Sequence, residues 1–169
     1  ALSVTMKFMV VVAPHDLKVA DEVWIATALL HREHPDREDF TAKEITDRAE
    51  SENITGALRK GVYVHALLHC VANLPPSPGR YRMLVETAKG RRRLFRPEDR
   101  YDPRREGAKS TPERGAIPER YRDLLDWYRD WAGEPETADP LLALAGTGRD
   151  VWRDETPDSY VQRLREGWA

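Results

Sequence analysis

Only one cysteine, Cys70, occurs among the 169 residues, so the chain cannot close a disulfide bond within itself. This scarcity is typical of a reducing compartment, and we expect a cytoplasmic protein. No apolar run approaches the roughly 20 residues needed to span a bilayer, so we expect no membrane partner. The apolar stretch KFMVVVA at residues 7–13 is shorter than the core of a usual signal peptide and predicts a buried strand.

The sequence also lacks the motifs that carry common enzyme chemistry. It has no Gly-rich phosphate loop, no nucleophile motif and no carboxylate cluster with a convincing base, so we expect a non-catalytic protein without a cofactor. His65 and His69 in HALLHC have the i,i+4 spacing that can bind zinc. No Glu follows the first His and no Cys pair has zinc-finger spacing, so a metal site is not predicted.

Charge is present in abundance but is unevenly distributed. The formal net charge is −2. Residues 80–105 contain ten Lys or Arg against four acidic residues, whereas residues 134–169 contain four Arg against eight acidic residues. A basic middle and an acidic end indicate two different partners.

Apolar spacing and capping signals predict four helices and a hairpin. A first helix of about four turns has one apolar face that begins at Ala20, and Pro35 lies beyond its end. Thr41 and Glu44 form a capping box for a second helix that starts at Ala42 and fades near Asn53. A third helix is predicted at about residues 62–73, and residues 80–97 alternate around a Lys89-Gly90 turn as a β-hairpin does.

Three helices followed by a hairpin is the order of a winged helix-turn-helix, in which the third helix enters the major groove and the hairpin is the wing. Residues 61–97, GVYVHALLHCVANLPPSPGRYRMLVETAKGRRRLFRP, resemble uncharacterised prokaryotic winged-helix domains associated with DNA regulation. The expected fold class is therefore mainly α with a small β-hairpin: a winged helix-turn-helix plus an extended C-terminal helical tail.

The third helix and the hairpin contain the candidate DNA contacts. An apolar face of Val64, Leu67, Leu68 and Val71 leaves the histidines and Asn73 on the other side, where they could reach base edges or, for the histidines, bond within the domain. Arginines around the hairpin turn are suited to phosphates. The predicted contacts to double-stranded DNA are Lys60, Tyr63, His65, His69, Asn73, Arg82, Lys89, Arg91, Arg92 and Arg93.

Beyond the hairpin, residues 97–117 have no period and are expected to wrap over the surface or to move. A fourth helix is predicted at about residues 118–132, ended by Gly133, with Tyr121, Leu124, Leu125, Tyr128 and Trp131 on its buried side. This helix would pack on the winged helix or on a second copy. We therefore expect a domain at residues 1–133, an acidic linker at 134–138 and a partner-binding tail at 139–169.

The tail contains a short PLLALAG helix closed by a Gly, an isolated Trp152 after a Gly-containing turn, and a final DSYVQRLREGW helix. Residues 139–168 resemble the toxin-binding tails of VapB-type antitoxins, which neutralise PIN-domain ribonucleases. The resemblance implies that arginines of the tail pair with the carboxylates of the toxin. The implied toxin-binding residues are Leu141, Leu142, Leu144, Trp152, Tyr160, Val161, Arg163, Leu164, Arg165 and Trp168.

Together these features predict an antitoxin-like regulator whose winged helix binds DNA and whose tail inhibits a PIN-domain toxin. The alternative is a stand-alone winged-helix transcription factor with a dimerisation tail. A tail that packs on its own domain is a further alternative. A homodimer and a toxin-antitoxin hetero-oligomer are both left open.

Overall fold

The computed structural model describes residues 17–133 and, near the C-terminus, residues 159, 162, 163 and 165. The chain divides into two units, Ala1–Glu134 and Pro135–Ala169. The strand predicted at residues 7–13 and the linker at 134–138 lie outside the described residues. In the second unit, Ser159, Gln162, Arg163 and Arg165 are helical and exposed.

The first unit combines helices with a small antiparallel sheet, as the predicted class requires. Its regular elements, in chain order, are α1 (Val19–Glu33), β1 (Phe40–Thr41), α2 (Ala42–Glu52), α3 (Gly61–Val64), a π-helical turn (His65–His69), β2 (Leu84–Ala88), β3 (Arg91–Leu94), two 3₁₀ turns (Pro103–Arg105 and Glu119–Tyr121) and α4 (Asp123–Ala132). None of the helices described is both long and apolar enough to cross a membrane.

Helix α1 is the centre of the core, and every residue from Ala20 to His31 is buried. Two carboxylates in its first turn, those of Asp21 and Glu22, are also buried. Asp21 pairs with Lys109, and Glu22 pairs with Arg59. A buried charge is tolerated when an opposite charge and hydrogen bonds compensate its lost hydration. The helix ends two residues before Pro35, as predicted.

The second helix begins where the sequence predicts. The Thr41 side chain accepts a hydrogen bond from the Glu44 amide, and the Glu44 carboxylate accepts one from the Thr41 amide, which completes the capping box. Asn53 ends the helix in the left-handed conformation with φ of 51°. Ile45 and Ala49 are its buried contacts with the core.

The predicted hairpin is confirmed, and a third strand joins it. Strand β3 lies in the middle of a sheet of order β1-β3-β2, with both neighbours antiparallel. The turn falls at Lys89 and Gly90, and Gly90 has a φ of 76°, which favours a residue without Cβ. The two-residue strand β1, which the sequence analysis did not identify, pairs Phe40 with Arg92.

The fourth helix is also confirmed, although its start differs from the prediction. Residues Glu119–Tyr121 form a 3₁₀ turn, and the α-helix proper begins at Asp123 and ends at Gly133 with a φ of 67°. The tyrosine hydroxyls fix it to the domain, because Tyr121 donates to Glu52 and Tyr128 donates to the Phe95 carbonyl. The helix therefore packs on its own domain, the first of the two predicted positions.

Candidate nucleic-acid interface

The third helix is shorter than predicted, and its buried face is different. It runs as one α-turn and one π-turn, which together end at His69 rather than near residue 73. The core side is formed by Val62, Ala66 and Cys70, each fully buried. A π-turn is rare and commonly marks a functional site.

The predicted apolar face of this helix is wrong at two of its four members. Val64 is 39% exposed and Leu68 is 40% exposed, while Leu67 is half-buried. Tyr63, at 47% exposure, lies on the same open side. Only Val71, beyond the helix, is buried as expected. Both sides of the helix are apolar, so the spacing of apolar residues could not identify the side that faces the core.

The two histidines lie beside the open face; His65 bonds within the domain, whereas the buried Nδ1 of His69 has no hydrogen-bond partner among the described residues. The Nδ1 atom of His65 is 2.8 Å from the Gly61 carbonyl, and burial lowers the His65 pKa, which favours the neutral ring. The rings of His65 and His69 are 4.8 Å apart. A Cβ placed on Gly79 would lie 2.9 Å from the Cβ of His69, so this loop backbone covers the second histidine closely.

Asn73 has a structural partner instead of an open amide. Its Nδ2 donates to the Glu86 carbonyl at 2.9 Å, and its Oδ1 accepts from the Glu86 amide at 2.8 Å. This pair of bonds attaches the segment after the third helix to β2. The amide edge that would make a bidentate contact to a base is therefore bonded to Glu86 in this structure.

The three arginines predicted to form an exposed wing tip lie in β3 and are paired. Arg92 is 2% exposed, donates to Glu86 at 2.6 Å and donates to the Leu67 carbonyl at 3.0 Å. Arg93, which is 8% exposed, makes a bidentate pair with Asp99 at 2.8 and 2.9 Å. The less buried Arg91 pairs with Asp39.

These ion pairs explain why the arginines of β3 do not form the exposed wing tip that the sequence predicts. Hydrogen bonds from Thr87 and Arg91 lower the pKa of the Asp39 carboxyl, so Asp39 stays charged and holds Arg91. Pairing with Glu86 and Asp99 likewise compensates the charges of the other two arginines inside the fold. Arg92 and Arg93 are therefore buried and do not form the exposed tip that was predicted, whereas Arg91 keeps 39% of its side chain exposed.

Exposed cations without a described ion-pair partner nevertheless occur near the third helix and the hairpin in the sequence. Among the described residues between 60 and 100, Lys60, Arg80, Lys89 and Arg100 are exposed and take part in no ion pair. Lys60 directly precedes the third helix and Lys89 occupies the hairpin turn. Arg82 is half-buried, stacks 4.4 Å above the Tyr101 ring and donates to the Ala108 carbonyl.

Arg105, which the sequence analysis did not single out, organises the end of the third helix. It is fully buried and donates to the carbonyl oxygens of Leu68, His69, Leu74, Pro75 and Tyr81 at 2.6 to 3.3 Å. The predicted irregular segment 97–117 therefore wraps over the domain and inserts Arg105 into it. A helix end supplies unsatisfied carbonyl oxygens, which are good acceptors for a guanidinium. No local signal in the sequence distinguishes Arg105 from the adjacent Arg104.

The described residues contain no group of three or more His, Cys, Asp or Glu arranged to hold a metal ion. Of the predicted toxin-binding residues, Arg163 and Arg165 occupy exposed helical positions, and the other eight lie outside the described residues. No family model, no curated protein and no solved structure matches the chain.

Proposed function

We propose that the first unit is a winged-helix DNA-binding domain and that the chain is an antitoxin-like regulator. The observation that carries the DNA-binding part is the topology: the elements follow in the order α1-β1-α2-α3-β2-β3, and β1 lies beside β3. This arrangement supports a third helix with a wing next to it, because Arg92 of β3 bonds to the Leu67 carbonyl and Asn73 bonds to β2.

The set of proposed phosphate contacts is smaller than the sequence predicts. Lys60 and Lys89 are the proposed charged contacts, since both are exposed and in no ion pair. Tyr63 is exposed in the first turn of the helix, and its hydroxyl group is a candidate for a hydrogen bond to a DNA phosphate. Fewer free cations predict a weaker salt dependence than three exposed wing arginines would give.

The experiment is a salt titration of duplex binding by the full chain. Each phosphate contact contributes about 0.9 to the slope of log affinity against log salt, so Lys60→Ala and Lys89→Ala should each reduce the slope by about one. Lys43→Ala is the matched control, because this exposed lysine lies on α2 and pairs with Asp47. Absence of salt-dependent duplex binding would refute the domain's proposed role, and a wild-type slope in Lys60→Ala and Lys89→Ala would refute these two residues as phosphate contacts.

For the second unit, we propose that the tail binds and inhibits a PIN-domain ribonuclease. One support is the resemblance of residues 139–168 to VapB-type antitoxin tails. The other is the charge of residues 134–169, where acidic residues outnumber basic ones, in contrast to the basic segment 80–105. Exposed Arg163 and Arg165 are the proposed partners of the toxin's carboxylates.

The test is co-expression of the chain with the protein encoded by the adjoining gene, followed by an assay of ribonuclease activity. Full-length chain should suppress ribonuclease activity, and a chain that ends at residue 134 should not. The Arg163→Ala, Arg165→Ala double variant should lose more of its inhibition of the ribonuclease than of its affinity for it, relative to the full-length chain. Its apolar contacts to the ribonuclease persist and maintain binding. Equal inhibition by full-length and shortened chains would refute the role of the tail.

A further inference from the structure

The open face of the third helix is unusual because it is apolar: it is formed by the exposed Tyr63, Val64 and Leu68 and by Leu67, which is half-buried and also packs against the core. In the described part of the chain, four large hydrophobic side chains are exposed. Three of them, Tyr63, Val64 and Leu68, belong to this face, and the remaining one is Leu58 in the turn before the helix. Residues 63 and 67 and residues 64 and 68 are helical neighbours, so the exposed side chains form one continuous surface.

This surface lacks the side chains that usually identify bases. Recognition of guanine is commonly made by Arg or Lys, and recognition of adenine by Asn or Gln. None of these types occurs between residues 61 and 72. His65 is held by Gly61, His69 is covered by the loop at Gly79, and Asn73 is held by Glu86. The one base-edge group that an apolar side chain contacts favourably in the major groove is the C5 methyl group of thymine.

The charge of the chain segment that contains this surface favours a polyanion as the occupant. Residues 53–85 contain no Asp or Glu, although the chain has 29 acidic residues in 169. The same segment contains Lys60 and Arg80, both exposed and in no ion pair with a described residue. A hydrophobic surface set in an acid-free, cationic segment complements a groove that has methyl groups on its floor and phosphates along its edges.

We propose that the open face of the third helix recognises thymine methyl groups in the major groove of B-form DNA. This inference rests on the proposed DNA-binding function and adds the base preference. It also specifies DNA over RNA, because uracil has no C5 methyl group and the A-form major groove is too narrow for side chains to read.

The experiment compares full-length chain on two duplexes of identical sequence, one with thymine and one with deoxyuridine throughout. The substitution removes methyl groups and keeps base pairing and phosphate charge. Affinity should fall about fourfold for each contacted methyl group, the fold-change that corresponds to about 0.8 kcal/mol per buried CH₂. Two contacted methyl groups would therefore give a preference of about fifteenfold.

The variant Val64→Ser, Leu68→Ser should bind both duplexes with the same affinity and keep the wild-type salt slope. Leu58→Ser is the control, because Leu58 is equally exposed but lies outside the helix; it should keep the preference for thymine. Salt-dependent binding with equal affinity for the two duplexes would overturn the thymine inference and leave the DNA-binding proposal intact. Absence of salt-dependent duplex binding would overturn both.

Discussion

Replacing Arg105 by Met should destabilise the domain strongly although the substitution preserves most of the side chain's length and apolar volume. The guanidinium is the shared donor for five carbonyl oxygens, and the residue is fully buried. A buried acceptor left without a partner costs about 1 to 3 kcal/mol. Burial also lowers the Arg105 pKa, which reflects the hydration that the cation loses on folding. Removing the guanidinium also removes this unfavourable desolvation, so the net loss should be about 3 to 5 kcal/mol, less than five separate penalties.

The neighbouring Arg104 provides the control. Its side chain is 64% exposed and pairs with Asp102 at the surface, and such pairs contribute at most about 1 kcal/mol. Thermal unfolding followed by circular dichroism should show a Tm about 10 to 15 °C lower for Arg105→Met, and a shift of a few degrees at most for Arg104→Met. Urea unfolding should give the same order. Similar melting of the two variants would refute the assignment of Arg105 as the residue that holds the end of the third helix.

Three further outcomes can be measured on the same protein. Burial and the nearby Arg93 and Arg96 lower the His31 pKa to about 4, so the unfolded state binds more protons between pH 6.5 and 4; the free energy of unfolding should fall by about 3 kcal/mol across that window, and His31→Gln should flatten the decline. Thr41→Ala should cost about 1 kcal/mol in urea unfolding because it removes the cap of α2, and an unchanged midpoint would contradict this role. Burial raises the pKa of the Cys70 thiol, so a thiol reagent should label it only under unfolding conditions; rapid labelling of native protein would show that the site opens.

Local signals in the sequence were sufficient for the start of the second helix, the hairpin turn and the end of the fourth helix. The Thr41 and Glu44 pair, the Lys89-Gly90 turn and Gly133 each act within a few residues, so their outcome does not depend on distant parts of the chain. Strand β1 was missed because two residues carry no detectable alternation, and its pairing with β3 joins positions about fifty residues apart. Such long-range pairing is set by tertiary contacts.

The candidate site was harder to predict than the fold because its charges are used in pairs. The sequence shows Arg92 and Arg93 as part of a basic cluster, but their carboxylate partners Glu86 and Asp99 lie six residues away on either side. Sequence distance does not reveal which charges pair, so the cluster appeared more available than it is. The buried face of the third helix was predicted incorrectly for another reason. Both sides of this helix carry apolar residues, and a π-turn changes the residue spacing from which a buried face is assigned.

The hydroxyl contacts of Tyr121 and Tyr128 have a consequence for how this protein can be divided. A fragment that stops after the hairpin, near residue 97, would contain all the elements of the three-helix and sheet arrangement. It would lack Tyr121 and Tyr128, which reach back to Glu52 and to the Phe95 carbonyl, and Arg105, which closes the third helix. The smallest fragment expected to fold cooperatively therefore extends to Gly133, and protease-resistant cores should end there, not at the hairpin.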